Sequence, residues 1–389
     1  MDMPSFQHIT PPLRLYHGPE SLANLSRELD RMKCSRAVIV CGPWLEQGGL
    51  LDRVRDALGA RCAGVYSDVL GHSPVDSVQD AADLLNRLEA DAVIAVGGGS
   101  SIVTARAATI LAAERKPVSS LCTTMDEGGK TVSPKLMAYK LPQLIIPTTP
   151  TTAIVKAGSA VFDPASGSRL AMFDPKTRAQ AVFIDPQLIL SAPRGLVASA
   201  CINTLSMAIE GLSSRSGNPL ADALLMHVLR LCATHLPNTE SHDDPAVRGD
   251  LVMAAVMCGQ GTDHTAAGVT TVLGHAIGAR YEKENGLVNA IVLPHVLRFN
   301  GDANAVGLAK VAAALGLQGS LCAQVQATVE TVQAIFGALG VPTRLRDLDV
   351  PREDLADVAA LAMKDWFLKG NPRPVTSADQ LQHIMEEAW

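Results

Sequence analysis

The chain has 389 residues, 47% hydrophobic and only 4% aromatic, which is enough for two domains with a core each. Its apolar content is mostly Ala, Val and Leu, which fits a helix-rich α/β enzyme better than a β-sandwich. The 33 basic and 39 acidic residues give a formal charge of −6 and form no basic block, which argues against a nucleic-acid partner or an anionic membrane surface.

Eight cysteines, at 34, 41, 62, 122, 201, 232, 258 and 322, form no Cys-x-x-Cys pair and read as free buried thiols of a reducing compartment. The opening MDMPSFQHITPP lacks the basic and apolar regions of a secretory signal. No uninterrupted apolar run approaches the length that spans a bilayer, so the expectation is a cytoplasmic protein with no membrane partner.

In chain order, Ser35–Cys41 carries the β-branched run AVIVC, closed by Gly42-Pro43. A helical pattern follows from Trp44 to about Gly59, then an extended stretch Gly64–Val69 and an amphipathic helix from about Asp76 to Glu89. The strand-like AVIAV of Ala92–Val96 ends in Gly97-Gly98-Gly99, and Ile102–Glu114 reads as helix. A buried strand spans Gln143–Pro147. Ser159–Phe162, Arg169–Phe173 and Ala181–Ile184 look like a small hairpin excursion with Asp-Pro and Gly-Ser turns. Strands alternating with helices predict a parallel sheet of βαβ units. From Pro193 on, Pro219–His235, Val247–Cys258 and Leu321–Leu339 have helical periodicity without strands between them, and Asn238–Asp244 is the most linker-like stretch. The expectation is a Rossmann-like parallel-sheet nucleotide-binding domain, residues 1–188, followed by an all-helical domain, residues 189–389.

The strongest local signal is AVIAV-GGGSS-IVTARA, residues 92–106. Glycines at a strand end let the backbone turn sharply and approach a ligand, and the following helix offers free N–H groups to a phosphate. Ser100 and Ser101 add hydroxyls. This is not the Gly-x-Gly-x-x-Gly fingerprint, and a tight turn without a ligand has the same sequence. A second polar loop, Thr148-Thr149 after the strand ending in Ile146-Pro147, lies where open α/β sheets bind ligands. Gly97, Gly98, Gly99, Ser100, Ser101, Thr148 and Thr149 are therefore candidate cofactor-binding residues.

The ordered motifs LRLYHGPESLANL, AVIVCGPWL, GGGSSIVTARA, IPTTPTTA, FIDPQLIL, NTLSMAIEGLSS, GVTTVLGHAIGA, NGLVNAIVLPHVLRFN and NPRPVT resemble the iron-containing alcohol dehydrogenases and their maleylacetate reductase relatives over essentially the whole chain. The resemblance implies a first half that binds NAD(P) and a helical second half that carries a metal in relatives. It also implies a homodimer or larger homo-oligomer.

Several positions depart from the family pattern. The family's metal-bearing helix presents an Asp and, four residues later, a His; here these are Asn203 and Met207. A further His corresponds to Thr271, the His four residues after it survives as His275, and the last corresponds to Asn285 before Gly286. Neutral Asn, Thr and Met are weak ligands for divalent iron or zinc, so no metal is expected; lone His264, read as lying on a helical face upstream of His275, makes no site by itself. Val103 and Arg106 stand where the family usually has Asp and Lys, and PTTPTTAIVKAG replaces a Gly-Thr-Gly-Ser-Glu-like stretch. Gly42 replaces the Asp of NAD-preferring members, which tolerates NADP; Gly42-Pro43 read only as a turn is the alternative.

Without a metal, hydride transfer needs another electrophile and proton source. The resemblance makes His275 the candidate catalytic acid. Asn203, Thr271 and Asn285 are candidates for hydrogen bonds to a substrate oxygen, and Lys156 for binding an acidic substrate. The reading is an NADP(H)- or NAD(H)-dependent oxidoreductase, NADP preferred, for a small alcohol, aldehyde or oxo acid. A silent nucleotide-binding subunit and a non-redox relative using bound NAD are the alternatives.

Overall fold

A computed structural model of the chain describes residues 5–126, 131–301 and 303–389; the first four residues of the opening stretch lie outside them. The chain forms two compact units, Pro11–Ala192 and Pro193–Trp389, the second including the residues up to Thr10.

The first unit runs β1 (Arg14–His17), α1 (Leu25–Met32), β2 (Ala37–Cys41), α2 (Pro43–Gln47), α3 (Leu50–Leu58), β3 (Cys62–Tyr66), α4 (Val75–Arg87), β4 (Ala92–Gly97), α5 (Gly99–Glu114), β5 (Thr124–Met125), β6 (Thr131–Val132), β7 (Gln143–Pro147), β8 (Gly158–Asp163), β9 (Ser168–Phe173), β10 (Ala179–Ile184) and α6 (Pro186–Leu190). Six strands form one parallel sheet in the order β1-β10-β7-β4-β2-β3. Every residue of β2, β4 and β7 is buried, as in a sheet covered on both faces. On one face Ile39, Ile94, Ile146 and Phe183 pack with Leu25, Leu29, Leu45 and Val54 from the helices.

Several sequence expectations needed correction. The helix expected over Trp44–Gly59 is two helices, because Gly49 adopts φ +69° between them. The extended stretch at Gly64–Val69 begins earlier, at Cys62. Helix α5 begins at Gly99 rather than Ile102, so the serines belong to its first turn. Only β8 and β9 form the hairpin; β10, read with them, is a main-sheet strand between β1 and β7. Two cysteines are not buried: Cys62 is half-buried and Cys322 exposed, although all eight are free.

The second unit runs α7 (Arg194–Ser213), α8 (Pro219–His235), α9 (Pro245–Gly261), α10 (Val269–Arg280), α11 (Asn285–Asn300), α12 (Ala305–Ala314), α13 (Leu321–Ala338), α14 (Leu355–Ala362) and α15 (Ala378–Ala388), with short 3-10 turns and no strand among its described residues. Its helix starts follow local chemistry. Asn218 accepts hydrogen bonds from Leu220 and Ala221 with Pro219 at the first position, Asp244 caps the helix that starts at Pro245, and Ser377 and Gln380 form a capping box. Val272, Ile277, Val288, Ile291, Val358, Leu381 and Met385 form its core.

The stretch expected to be linker-like is a pinned 3-10 turn: His242 is buried, its carbonyl accepts from Arg248, and Arg194 pairs with Asp243. Among the described residues one helix, α7, is long and apolar enough to cross a membrane by length and composition, though Asn203 and Glu210 interrupt its apolar run and most of it is buried inside the unit. His264 is not on a helical face: it follows α9 in a loop, stacks on His8 with ring centroids 3.7 Å apart, and its Nε2 lies 3.0 Å from the Ile9 carbonyl.

Candidate functional site

In the first unit the chain reverses its direction of sheet growth between β2 and β4: β2 connects outward to β3, while β4 connects the other way to β7. Ligands of open α/β sheets bind in the crevice beyond the strand ends at such a point. Three loops meet there, because Cys41 registers with Val96 and Gly97 with Pro147. Gly42, Gly97–Gly99 and Thr148-Thr149 therefore stand at adjacent strand ends.

Gly97 takes φ +141°, and a Cβ there would run into the Ser101 side chain; only glycine fits both demands. A Cβ on Gly98 would lie 2.9 Å from Thr149 Oγ1. Thr148 N–H donates to the Gly97 carbonyl at 3.0 Å, which ties the two loops together. Helix α5 has no side-chain cap, and Gly98, Gly99 and Ser100 are only half-buried, so its first N–H groups are open to an anion. Ser101 is 5% exposed and its hydroxyl turns back toward Gly97, so of the two serines only Ser100 is placed at the surface of the crevice. Thr148 and Thr149 are also buried. Arg106 is fully buried and donates to the carbonyls of Gly158 (2.7 Å) and Ala153 (2.6 Å), which makes it a brace for the following loop. Lys156, half-buried, stands in that loop before β8.

In the second unit α7, α10 and α11 come together around a polar cluster. The Asn203 amide lies 3.0 Å from that of Asn289 and 3.5 Å from Met207 Sδ. The Asn289 amide, turned so that its nitrogen faces acceptors, donates to the carbonyls of Thr270 and Asn285, both at 3.1 Å. Gly274 and Gly278 leave room on α10 for the side chains of Asn289 and Asn285. Buried Glu210 receives the N–H of Thr270 (2.7 Å) and the Thr271 hydroxyl (2.5 Å), so a carboxylate from α7 caps the start of α10. Burial pushes the Glu210 carboxyl up from its ordinary range, against the lowering effect of the Thr271 hydrogen bond.

One turn beyond Thr271, His275 is half-buried; its Nδ1 lies 3.2 Å from Asp365 Oδ2 and its ring tilts against Phe367 with centroids 5.8 Å apart. Asp365 also accepts from the Phe367 N–H at 2.9 Å, which fixes the carboxylate. A carboxylate accepts hydrogen bonds only, so Nδ1 is the nitrogen that donates to Asp365 and Nε2 is left for another partner.

Residues 12–186 match the sequence model described as iron-containing alcohol dehydrogenase, and residues 197–389 match that of the Fe-containing alcohol dehydrogenase family, C-terminal. The chain belongs to the iron-containing alcohol dehydrogenase family. It is an oxidoreductase of the alcohol dehydrogenase and reductase type. The chain is 29% identical over 380 residues to lactaldehyde reductase of Escherichia coli (strain K12), covering 96% of this chain and 97% of that protein. Identity is 26% over 377 residues to maleylacetate reductase of Burkholderia cepacia (97% and 95% covered) and 26% over 376 residues to NAD-dependent methanol dehydrogenase of Bacillus methanolicus (94% and 96%). The fold is that of a solved 1,3-propanediol oxidoreductase, with a TM-score of 0.90 at 22% identity, covering 99% of this chain and 100% of that one.

An iron-containing alcohol dehydrogenase needs a donor set for its metal, and the residues here do not fit one. The four positions hold two amides, a thioether and a hydroxyl whose proton is directed at Glu210, a set without charge. Among the described residues no group of three or more His, Cys, Asp or Glu side chains gathers to hold a metal ion. The same hydrogen bonds narrow what these residues can offer a substrate. Thr271 directs its hydroxyl proton at Glu210 and keeps its lone pairs as acceptors.

Asp365, Glu210 and Asn289 contact the candidate residues and were not singled out in the sequence. Asp365 is 90 residues from His275 and carries no local signal of its own. Glu210 does carry one, as the lone carboxylate of α7, between Ile209 and Gly211, which must be paired when buried. Asn289, one turn after Asn285, shares its helix face.

Proposed function

We propose that this protein transfers a hydride between a nicotinamide dinucleotide and a small alcohol or carbonyl compound, with NADP(H) preferred, and that it does so without a catalytic metal. The cofactor part rests on the crevice. The residues that would hold the dinucleotide are Gly97, Gly98, Gly99 and Ser100, with the open start of α5 for its phosphates and Gly42 beside the adenosine ribose. Thr148 and Thr149 shape that loop from beneath. When bound, the nicotinamide supplies or accepts the hydride.

The metal-free part rests on one observation: the four positions that the family pattern gives to metal ligands hold the uncharged side chains of Asn203, Met207, Thr271 and Asn285, while His275, on the same helix as Thr271, pairs with Asp365 from the turn after α14. In the reducing direction the carbonyl carbon gains the hydride while its oxygen takes a proton from Nε2 of protonated His275. Asp365 holds Nδ1–H throughout and stabilises the charged ring before transfer. Asn203 and Asn285 are left as the candidates for orienting the substrate oxygen, and Lys156 for an acidic group on the substrate. The names of the relatives support small aldehydes and oxo acids as the substrate class.

The deciding experiment assays bound metal on the purified protein, strips it with a chelator, and titrates it with NADPH and NADH before offering lactaldehyde and maleylacetate. The expected result is cofactor binding without stoichiometric metal, and turnover that survives the chelator. Stoichiometric iron or zinc whose removal abolishes turnover would overturn the metal-free reading. Cofactor binding without turnover of any alcohol or carbonyl would leave a silent nucleotide-binding subunit.

A further inference from the structure

Gly42 is the last residue before α2, and its backbone is extended at φ −82°, ψ 158°, which any residue can adopt. The demand for glycine there comes from Trp44. A Cβ on Gly42 would lie 2.9 Å from Trp44 Nε1 and 3.0 Å from its Cδ1, closer than real side chains approach. Pro43 at the first position of α2 fixes the entry angle of this turn. The chain after β3 closes the other side, where Val69 N–H donates to the Cys41 carbonyl at 3.2 Å. The pyrrole edge of the indole therefore stands against Gly42 at the end of β2, the strand that pairs with β4 and its glycine turn. Trp44 is 39% exposed, a large apolar ring kept at the surface of the crevice.

We propose that Trp44 is the residue that sets cofactor preference, its indole N–H occupying the place of the strand-end carboxylate and donating to the 2′ substituent of the adenosine ribose. The inference rests on the reading of the crevice as a dinucleotide site. A carboxylate can only accept hydrogen bonds, so it selects a ribose 2′-hydroxyl and repels a phosphate. An indole N–H can only donate. A hydroxyl oxygen satisfies it weakly and an ionised phosphate oxygen strongly. The close fit to Gly42 also explains why an acidic side chain cannot be accommodated at that position while Trp44 stays where it is.

The test is direct binding of NADPH and NADH, by calorimetry and by tryptophan emission, to the full-length protein and to Trp44→Phe, which keeps a ring but loses the N–H. The wild type should bind NADPH the more tightly and its emission should be quenched. In Trp44→Phe the NADPH affinity should fall roughly tenfold, with NADH affinity within about twofold, the quench reduced and the melting temperature unchanged. The double variant Gly42→Asp/Trp44→Ala should reverse the preference toward NADH. An unchanged NADPH-to-NADH ratio in Trp44→Phe, or a wild type that prefers NADH, overturns the role of Trp44 and leaves the crevice reading intact. A wild type that binds neither nucleotide overturns both.

Discussion

The crevice of the sheet unit and the polar cluster of the helical unit are both built from glycines that let something come close, but they use the space differently. At the end of β4 the close approach leaves backbone N–H groups open: Gly97 turns the chain, Gly98 takes no side chain, and α5 starts without a cap. At the α7–α10–α11 junction the room left by Gly274 and Gly278 is filled by Asn289 and Asn285, and the start of α10 is capped by Glu210. One site keeps backbone donors open, and the other turns side chains on one another. A backbone site keeps its chemistry as long as the turn is kept, because its donors belong to every residue. A side-chain site can lose its ligands one at a time, and each neutral replacement survives if it finds hydrogen-bond partners.

That contrast can be broken most sharply at the residue least absorbed into the cluster. His275→Ala should lower turnover by about 10² to 10⁴-fold with little change in melting temperature, and Asp365→Asn should lower it by a smaller factor; activity retained in both would remove the proton-transfer role. In the crevice, Gly97→Ala imposes both a disfavoured φ and a clash with Ser101. It should cost about 2–4 kcal/mol of stability and abolish nucleotide binding, read by thermal melting and titration. In the cluster, Glu210→Ala leaves the Thr270 N–H and the Thr271 hydroxyl without their acceptor, at a cost of about 1–3 kcal/mol, while nucleotide binding persists. Loss of nucleotide binding in that variant would contradict the separation drawn between the two sites.

The smallest effect is a pH dependence in the helical unit. Burial holds the His242 imidazole below its ordinary value, with Arg248 and Arg194 acting in the same direction and Asp243 against it. A depressed folded value means that this stability is present above the unfolded value and is lost as pH falls through it toward the folded one. The melting temperature should therefore drop on acidification below about pH 6.5. His242→Gln, which can still donate to the His235 carbonyl as Nε2 now does at 3.1 Å, should show a shallower drop.

The strands β2, β4 and β7 were legible because a fully buried parallel strand is a short unbroken apolar run, and AVIVC, AVIAV and QLIIP are such runs. The edge strand β1 was not, since RLYH is too short and too polar to stand out. Nor was the placement of β10, whose AQAVFI looks like its neighbours in the hairpin. What separates them is pairing with β7 and β1, more than thirty residues and more than one hundred and sixty residues away. The helix break at Gly48-Gly49 was written in the sequence, but a helical pattern continues on both sides of it.

By itself the sequence determined the glycine turn after β4, the order of sheet then helices, and the absence of charge at the four positions where relatives hold a metal. These follow from residue type, from local periodicity, or from the family's motif order. Only the tertiary structure decided that Thr271 spends its proton on Glu210, that Asp365 orients His275, and that Trp44 fills the space over Gly42. Each of those is a relation between side chains whose meeting depends on packing, and a hydrogen-bond donor has no fixed role until the group in front of it is known.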